Sequence, residues 1–188
     1  MKKIAVFASG SGSNFQAIIN EIERGELSAH IALLVCDRSE AKAIERAKTH
    51  GIDTFVFNPK AYASKEEFEQ EIIDELQKRD VEFIVLAGYM RLVGTTLLSA
   101  YEGKIVNIHP SLLPSFPGKD AIGQALLAGV KVTGVTIHYV DQGMDTGQII
   151  AQEAVTIEEN ETRETLTTKI QQVEHRLYYK TLIELLSI

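Results

Sequence analysis

The sequence predicts an α/β fold: a Rossmann-like, doubly wound and mostly parallel sheet with helices on both faces, ending in a C-terminal antiparallel strand pair. Three observations carry that prediction. As far as residue 109, short apolar β-branched runs alternate with amphipathic stretches, the pattern of parallel strands joined by crossover helices. The pattern then changes to period two in "KVTGVTIHYV" and "QIIAQEAVTI", which suits two strands joined by the loop "DQGMDTG". A last amphipathic stretch, from about 162 to 186, reads as a closing helix.

In chain order, "KIAVFAS" is the first strand and residues 14–24 the first helix. "HIALLVC" is followed by a helix over 40–50, and "DTFVF" by a helix over 64–79. Ser64 and Glu67 have the spacing of a capping box, so that helix is expected to start after the "NPKAYA" loop. "EFIVLAG" precedes a short helix at 95–101, "KIVNIH" is the fifth strand, and "KDAIGQALLAG" forms another helix before the strand pair. No linker, repeat or low-complexity segment interrupts the series, and 188 residues are enough for one domain with a sizeable core.

Composition narrows the function. With 45% hydrophobic and 24% charged residues the chain reads as a soluble globular protein without a membrane span. Its net charge of −7 has no compensating basic run, which disfavours nucleic acid but leaves room for a small anionic ligand in a local pocket. The apolar run Ile4 to Ala8 is shorter than the roughly 7 to 15 residues of a secretory signal core, and the single cysteine, Cys36, is expected in the core. A cytoplasmic protein is the expectation.

Ligands of doubly wound sheets bind at the carboxyl ends of the strands, where strand order reverses. Three such ends carry polar or glycine-rich residues: "SGSGSN", "GYMR" and "NIHPS". In the first, backbone N–H groups of Gly10 to Asn14 and a following helix dipole could converge on a phosphate. The dinucleotide pattern G-x-G-x-x-G fails, because position 15 is Phe15, and no P-loop lysine follows. Asp37 keeps an NAD reading open as a possible ribose partner, and a plain turn with Asn14 as helix cap is the simpler alternative.

Asn107 and His109 are two residues apart on a strand, so they share a face where the strand ends. An imidazole beside an amide donor suits acyl transfer through a tetrahedral oxyanion. Of the other histidines, His30, His50 and His175 fall where solvated or capping roles are expected, and His138 alternates with apolar neighbours as a half-buried sheet residue. In "DQGMDTG", Asp141 and Asp145 lie among Gly143 and Gly147, a composition equally suited to a tight turn.

The chain resembles the folate-dependent phosphoribosylglycinamide formyltransferases of purine biosynthesis. The motifs "ASGSGSNFQAII", "VLAGYMRL", "NIHPSLLPSFPG", "GVTIHYVDQGMDTGQII" and "QQVEH" stand in family order over essentially the whole chain. The resemblance implies a formyltransferase fold with a phosphate-binding half at about 1–100 and a folate-binding, catalytic half at about 101–188. It implies that Asn107, His109 and Asp145 form the catalytic group, that Gly12, Ser13 and Asn14 hold the substrate phosphate, and that Glu174 meets the ribose hydroxyls. Lys65, Met90, Arg91, Leu92, Val93, Asn107 and Val140 would contact 10-formyltetrahydrofolate, the co-substrate, and no metal is implied. Lys65 stands where some members have Arg, and "KDAIGQAL" where others have histidines.

Other folate-dependent formyltransferases and formyl-folate hydrolases share similar Asn, His and Asp groups. They lack the Gly-x-Gly-Ser-Asn loop after the first strand and carry a further tRNA-binding or regulatory domain, for which this chain has no room. Glycinamide ribonucleotide and formyl-folate are therefore the expected partners, with neither nucleic acid nor membrane, for a monomer or homodimer. A nucleotide-binding module without turnover, or an NAD-dependent oxidoreductase resting on "GSGSN" and Asp37, are the competing readings.

Overall fold

The computed structural model describes residues 1–187. Five strands pair in parallel: β1 (Lys2–Ala8), β2 (Ala29–Cys36), β3 (Thr54–Val56), β4 (Phe83–Leu86) and β5 (Ile105–His109). The strands β6 (Val132–Tyr139) and β7 (Ile149–Thr156) add on in antiparallel register, giving one sheet of order β3-β2-β1-β4-β5-β6-β7. The predicted fold class is the observed one. Strand order reverses between β1 and β4, so their carboxyl ends open a crevice there.

Alternation along β1 shows why the sheet needs helices on both sides. Ile4, Val6 and Ala8 enter one core, which takes Phe15 and Ile18 from α1 (Ser13–Glu23), Ala43 and Ala47 from α2 (Lys42–Thr49), and Leu166, Ile170 and Leu182 from α6 (Arg163–Leu186). Ala5 and Phe7 enter the other, closed by Phe68, Ile72 and Leu76 of α3 (Lys65–Lys78) and Leu97 of α4 (Thr95–Ala100). With residues 4–8 all buried, β1 reads as a continuous apolar run, as a strand covered on both faces should. At roughly 25 cal/mol per Å² of apolar surface buried, these two layers supply the main stabilisation of the fold. The remaining helix, α5 (Ala121–Ala128), packs Ile122 and Leu126 against the first core.

Helix starts follow local chemistry. Ser64 Oγ accepts the Glu67 N–H at 3.3 Å, while the Glu67 carboxylate reaches back to the N–H of Ala63 (3.0 Å), one residue before the cap. Thr162 and Thr165 form a reciprocal capping box at the start of α6. Asn14 does not cap α1; Gly12 does, at φ 72°, and Asn14 lies inside the first turn. Cys36 is buried as a free thiol, as expected, and burial pushes its pKa up. Among the described residues no helix is long and apolar enough to cross a membrane.

Candidate active site

The residues of β5 alternate between the two cores: Val106 and Ile108 face one, whereas Asn107 and His109 face the other side. Antiparallel pairing sets His138 opposite Asn107 and Thr136 opposite His109, so all four share a face. Residues 110–120 cross this face through a cis Leu113–Pro114 peptide, held by Thr136 Oγ1, which accepts the Leu113 N–H and donates to the Ser111 carbonyl. His109 Nε2 donates to the Phe116 carbonyl at 2.8 Å. A carbonyl only accepts, so this bond fixes the proton on Nε2 and turns Nδ1 toward the acidic partner.

That partner is Asp145. Its loop leaves β6 at the far end of β5 and folds back over the same face. Asp141 shapes the turn by accepting from the Gly143 N–H and the Thr146 hydroxyl. Gly147 is needed because a Cβ there would lie 1.7 Å from the Tyr139 carbonyl oxygen. The two aspartates of "DQGMDTG" thus divide the work, one forming the turn and the other projecting from it at φ 55°. Asp145 Oδ2 accepts the Gly118 N–H (2.8 Å) and lies 3.5 Å from His109 Nδ1, and Oδ1 lies 3.7 Å from His138 Nε2. These are ion-pair separations, long for hydrogen bonds. Burial raises the Asp145 carboxyl, but His138, the Gly118 N–H and His109 together outweigh it and hold its pKa below the ordinary value.

His138 was expected to be half-buried. It is 2% exposed, with Nδ1 against the Tyr139 carbonyl (2.8 Å) and a buried Nε2 that has no hydrogen-bond partner. In an antiparallel pair a residue faces the same side as its cross-strand partner, here Asn107. Register between distant strands, however, is not written in either strand alone. Asn107 makes no hydrogen bond through its side chain among the described residues, which leaves its amide open to a ligand.

Across the crevice, Ser9 N–H donates to the Gly88 carbonyl and ties the loop after β1 to the loop after β4. Gly12 packs on α2 so closely that a Cβ would meet Ala43 Cβ at 2.9 Å. The N–H groups of Ser11, Gly12, Ser13 and Asn14 have no partner among the described residues and open the α1 N-terminus to an anion. Asn14 Nδ2 donates to Glu174 Oε2 at 3.4 Å, uniting two predicted substrate residues from opposite ends of the chain. Burial pushes the Glu174 pKa up to about 7, opposed only in part by the Asn14 amide. Neighbouring His175, expected to be solvated, encloses an unpartnered Nε2, and burial lowers its pKa.

The loop after β4 is braced from behind. Met90 N–H donates to Ser9 Oγ, which donates to Asp37, and Arg91 Nε donates to the other Asp37 oxygen at 2.9 Å. Lys65 Nζ holds the Leu92 carbonyl and Glu69 accepts the Gly94 N–H. Of the residues predicted to meet folate, Met90 and Leu92 present exposed apolar side chains, while Val93 is buried in the core and Val140 packs against it. The Arg91 and Lys65 side chains are engaged within the protein. Asp37 is buried with both oxygens occupied, which leaves the NAD reading without its ribose partner. Among the described residues, no group of three or more His, Cys, Asp or Glu could hold a metal ion.

The formyl transferase family profile matches residues 2–182. The phosphoribosylglycinamide formyltransferase of Bacillus subtilis (strain 168) is 57% identical over 188 residues, covering 100% of this chain and 96% of that protein. The trifunctional purine biosynthetic protein adenosine-3 of Gallus gallus is 42% identical over 94% of this chain, which corresponds to 18% of that longer protein. Among solved structures, the phosphoribosylglycinamide formyltransferase of Bacillus halodurans superposes with a TM-score of 0.97 at 63% identity, covering 99% of this chain and 96% of that one. Glycinamide ribonucleotide transformylase 1 of Geobacillus kaustophilus gives a TM-score of 0.96 at 64% identity, with 98% of both chains covered. The sheet order, the motifs at its strand ends and these likenesses agree, and the chain belongs to the formyl transferase family.

Proposed function

We infer that the protein transfers the formyl group of 10-formyltetrahydrofolate to the amine of glycinamide ribonucleotide, a step of purine biosynthesis. The observation that carries the reading is Asp145 held between His109 and His138 on the face that also bears Asn107. The whole-length likeness to phosphoribosylglycinamide formyltransferases supports the choice of acceptor.

In this mechanism the nucleotide phosphate lies on the N–H groups at Gly12, Ser13 and Asn14, and the ribose hydroxyls meet Glu174. The pterin lies along Met90 to Val93 and Val140, beside the Lys65 end of α3. The amine lone pair attacks the formyl carbon, forming the new C–N bond and placing negative charge on the formyl oxygen. The Asn107 amide and His109 Nδ1–H donate to that oxygen, in a pocket where fixed donors need no reorganisation. Phe116 keeps the ring oriented through Nε2, and the Asp145 carboxylate lies 3.5 Å from Nδ1, the anionic partner of that nitrogen. As the intermediate collapses, the bond to the folate nitrogen breaks, that nitrogen takes a proton from the His109–Asp145 pair, and the attacking amine gives its surplus proton back to the pair, which ends as it began.

The reading treats the chain as one formyltransferase domain, with phosphate recognition in residues 1–100 and folate recognition and catalysis in 101–188. Its acidic charge and single buried cysteine suit a cytoplasmic enzyme of small molecules. Incubation with glycinamide ribonucleotide and 10-formyltetrahydrofolate is expected to yield formylated nucleotide and free tetrahydrofolate in equal amounts. Folate release without formylated nucleotide would indicate a hydrolase, and no release would leave a binding module.

A further inference from the structure

We propose that Arg46 is a positioning residue for the substrate phosphate: it pins the Ser11 carbonyl against α2 and thereby aims the Gly12 N–H into the phosphate site. The inference rests on the phosphate-loop assignment above. Three successive loop carbonyls are held on the protein side. Gly10 O accepts the Ala43 N–H (3.1 Å), Ser11 O accepts Arg46 Nε–H (2.8 Å), and Gly12 O accepts the Gln16 N–H (2.8 Å). In a planar trans peptide the carbonyl and the following N–H point in opposite directions. Holding these carbonyls therefore turns the N–H groups of Ser11, Gly12 and Ser13 the other way, where they have no protein partner among the described residues.

Two of the three clamps are main chain, and only the middle one depends on a side chain. It acts on the peptide between Ser11 and Gly12, whose second residue is a glycine at φ 72°, free of the Cβ that would restrict rotation there. Without the guanidinium no donor among the described residues holds that carbonyl inward, and a rotated peptide would present oxygen instead of N–H to a phosphate. Arg46 is itself oriented: Nη1 donates to Gln16 Oε1 at 3.2 Å, and the Gln16 amide nitrogen is fixed by Asn20 Oδ1 (3.0 Å) and His50 Nε2 (3.1 Å). His50 is held in turn by Glu23 at 2.7 Å.

Arg46→Ala is expected to raise the KM for glycinamide ribonucleotide about 10- to 100-fold, the scale of a hydrogen bond from a charged donor, with kcat and the KM for formyl-folate within about twofold. A fall in kcat with an unchanged nucleotide KM would overturn the assignment. The amide resonance of Gly12, followed during titration with ribose 5-phosphate, supplies a readout that needs no formyl transfer. It should shift in the wild type and respond far less in Arg46→Ala. Arg46→Lys separates positioning from charge, because it keeps the cation without the Nε donor that reaches Ser11. A response like that of Arg46→Ala supports pinning; wild-type affinity and response in Arg46→Lys would overturn it, as would a silent Gly12 amide in the wild type. A wild-type response dependent on Arg46 in a protein that forms no formylated nucleotide would defeat the proposed reaction and leave this inference standing.

Discussion

The two ends of the crevice differ in what they offer a ligand. At the carboxyl end of β1 the offer is mostly backbone: N–H groups of a glycine loop whose carbonyls are held behind it. On the face shared by β5 and β6 it is side chains: Asn107, His109, His138 and Asp145, with backbone groups used only to orient them. A phosphate brings its own full charge and needs fixed dipoles, which main chain supplies at no cost in rotamer entropy. A developing oxyanion and a departing nitrogen need groups that hold or move a proton, and only side chains titrate. Substitutions at the first end should therefore act on nucleotide affinity, and those at the second on turnover.

The largest effect is expected at His109. His109→Ala should lower kcat by roughly 10² to 10⁴ while the nucleotide KM changes little. Steady-state kinetics on a variant with a wild-type melting profile tests this, and undiminished turnover would remove His109 from the mechanism. Asp145→Asn keeps the shape and can still accept the Gly118 N–H, but it removes the charge between two imidazoles, so a loss of about 10- to 100-fold in kcat is expected. The Asp145 pKa also carries a pH dependence. Because its folded value lies below the ordinary one, the stabilisation is complete above the ordinary carboxylate range and is lost as pH falls through the folded value. Asp145→Asn should flatten that acid limb in thermal unfolding measured from neutral pH downward.

The same division separates the residues whose roles are legible in the sequence from those whose roles are not. The strands and α-helices were legible from their hydrophobic periods, with a capping signal added at α3, whereas α1, α2 and α4 start without a side-chain cap. His109 and Asn107 were legible as a pair since i and i+2 share a face of one strand. His138 was not, because its membership of the group depends on the register of β6 against β5. Asp145 stood apart from Asp141 only through the resemblance, as both suit a turn, and the fold shows which one forms it. Arg46 was invisible for another reason. An arginine on the polar side of an amphipathic helix gives no sign that it reaches a loop carbonyl 35 residues earlier in the chain.

At the backbone end, Gly12→Ala tests whether affinity depends on main-chain geometry alone. The added Cβ would sit 2.9 Å from Ala43 Cβ and 3.0 Å from Ala43 Cα, neither of them the end of a flexible side chain. The φ of 72° adds about 1 to 2 kcal/mol of strain for an L-residue. We expect about a tenfold weaker Kd for the nucleotide by calorimetry, a lower melting temperature and an unchanged KM for formyl-folate. A larger effect on kcat than on Kd would break the division between the two ends.

Glu174 sharpens the comparison because it is a titrating side chain at the backbone end. Its carboxyl is buried, and its pKa is pushed up to about 7 from an ordinary 4.5. The folded protein therefore holds this proton more tightly than the unfolded chain does. The stability gained from it is fully present below about pH 4.5 and is lost as pH rises through about 7, at a cost of about 3 kcal/mol at most. Glu174→Gln remains neutral throughout, so it should match the wild type near pH 4.5 and exceed it in denaturant unfolding above pH 7. The nucleotide KM should move the other way, rising several-fold in Glu174→Gln at pH 8, where the wild-type group is an anion able to accept from two ribose hydroxyls. Near pH 5 the two proteins should bind nucleotide alike. A gain in stability with no change in KM at pH 8 would leave Glu174 as a buried acid beside the site and take the ribose contact away from it.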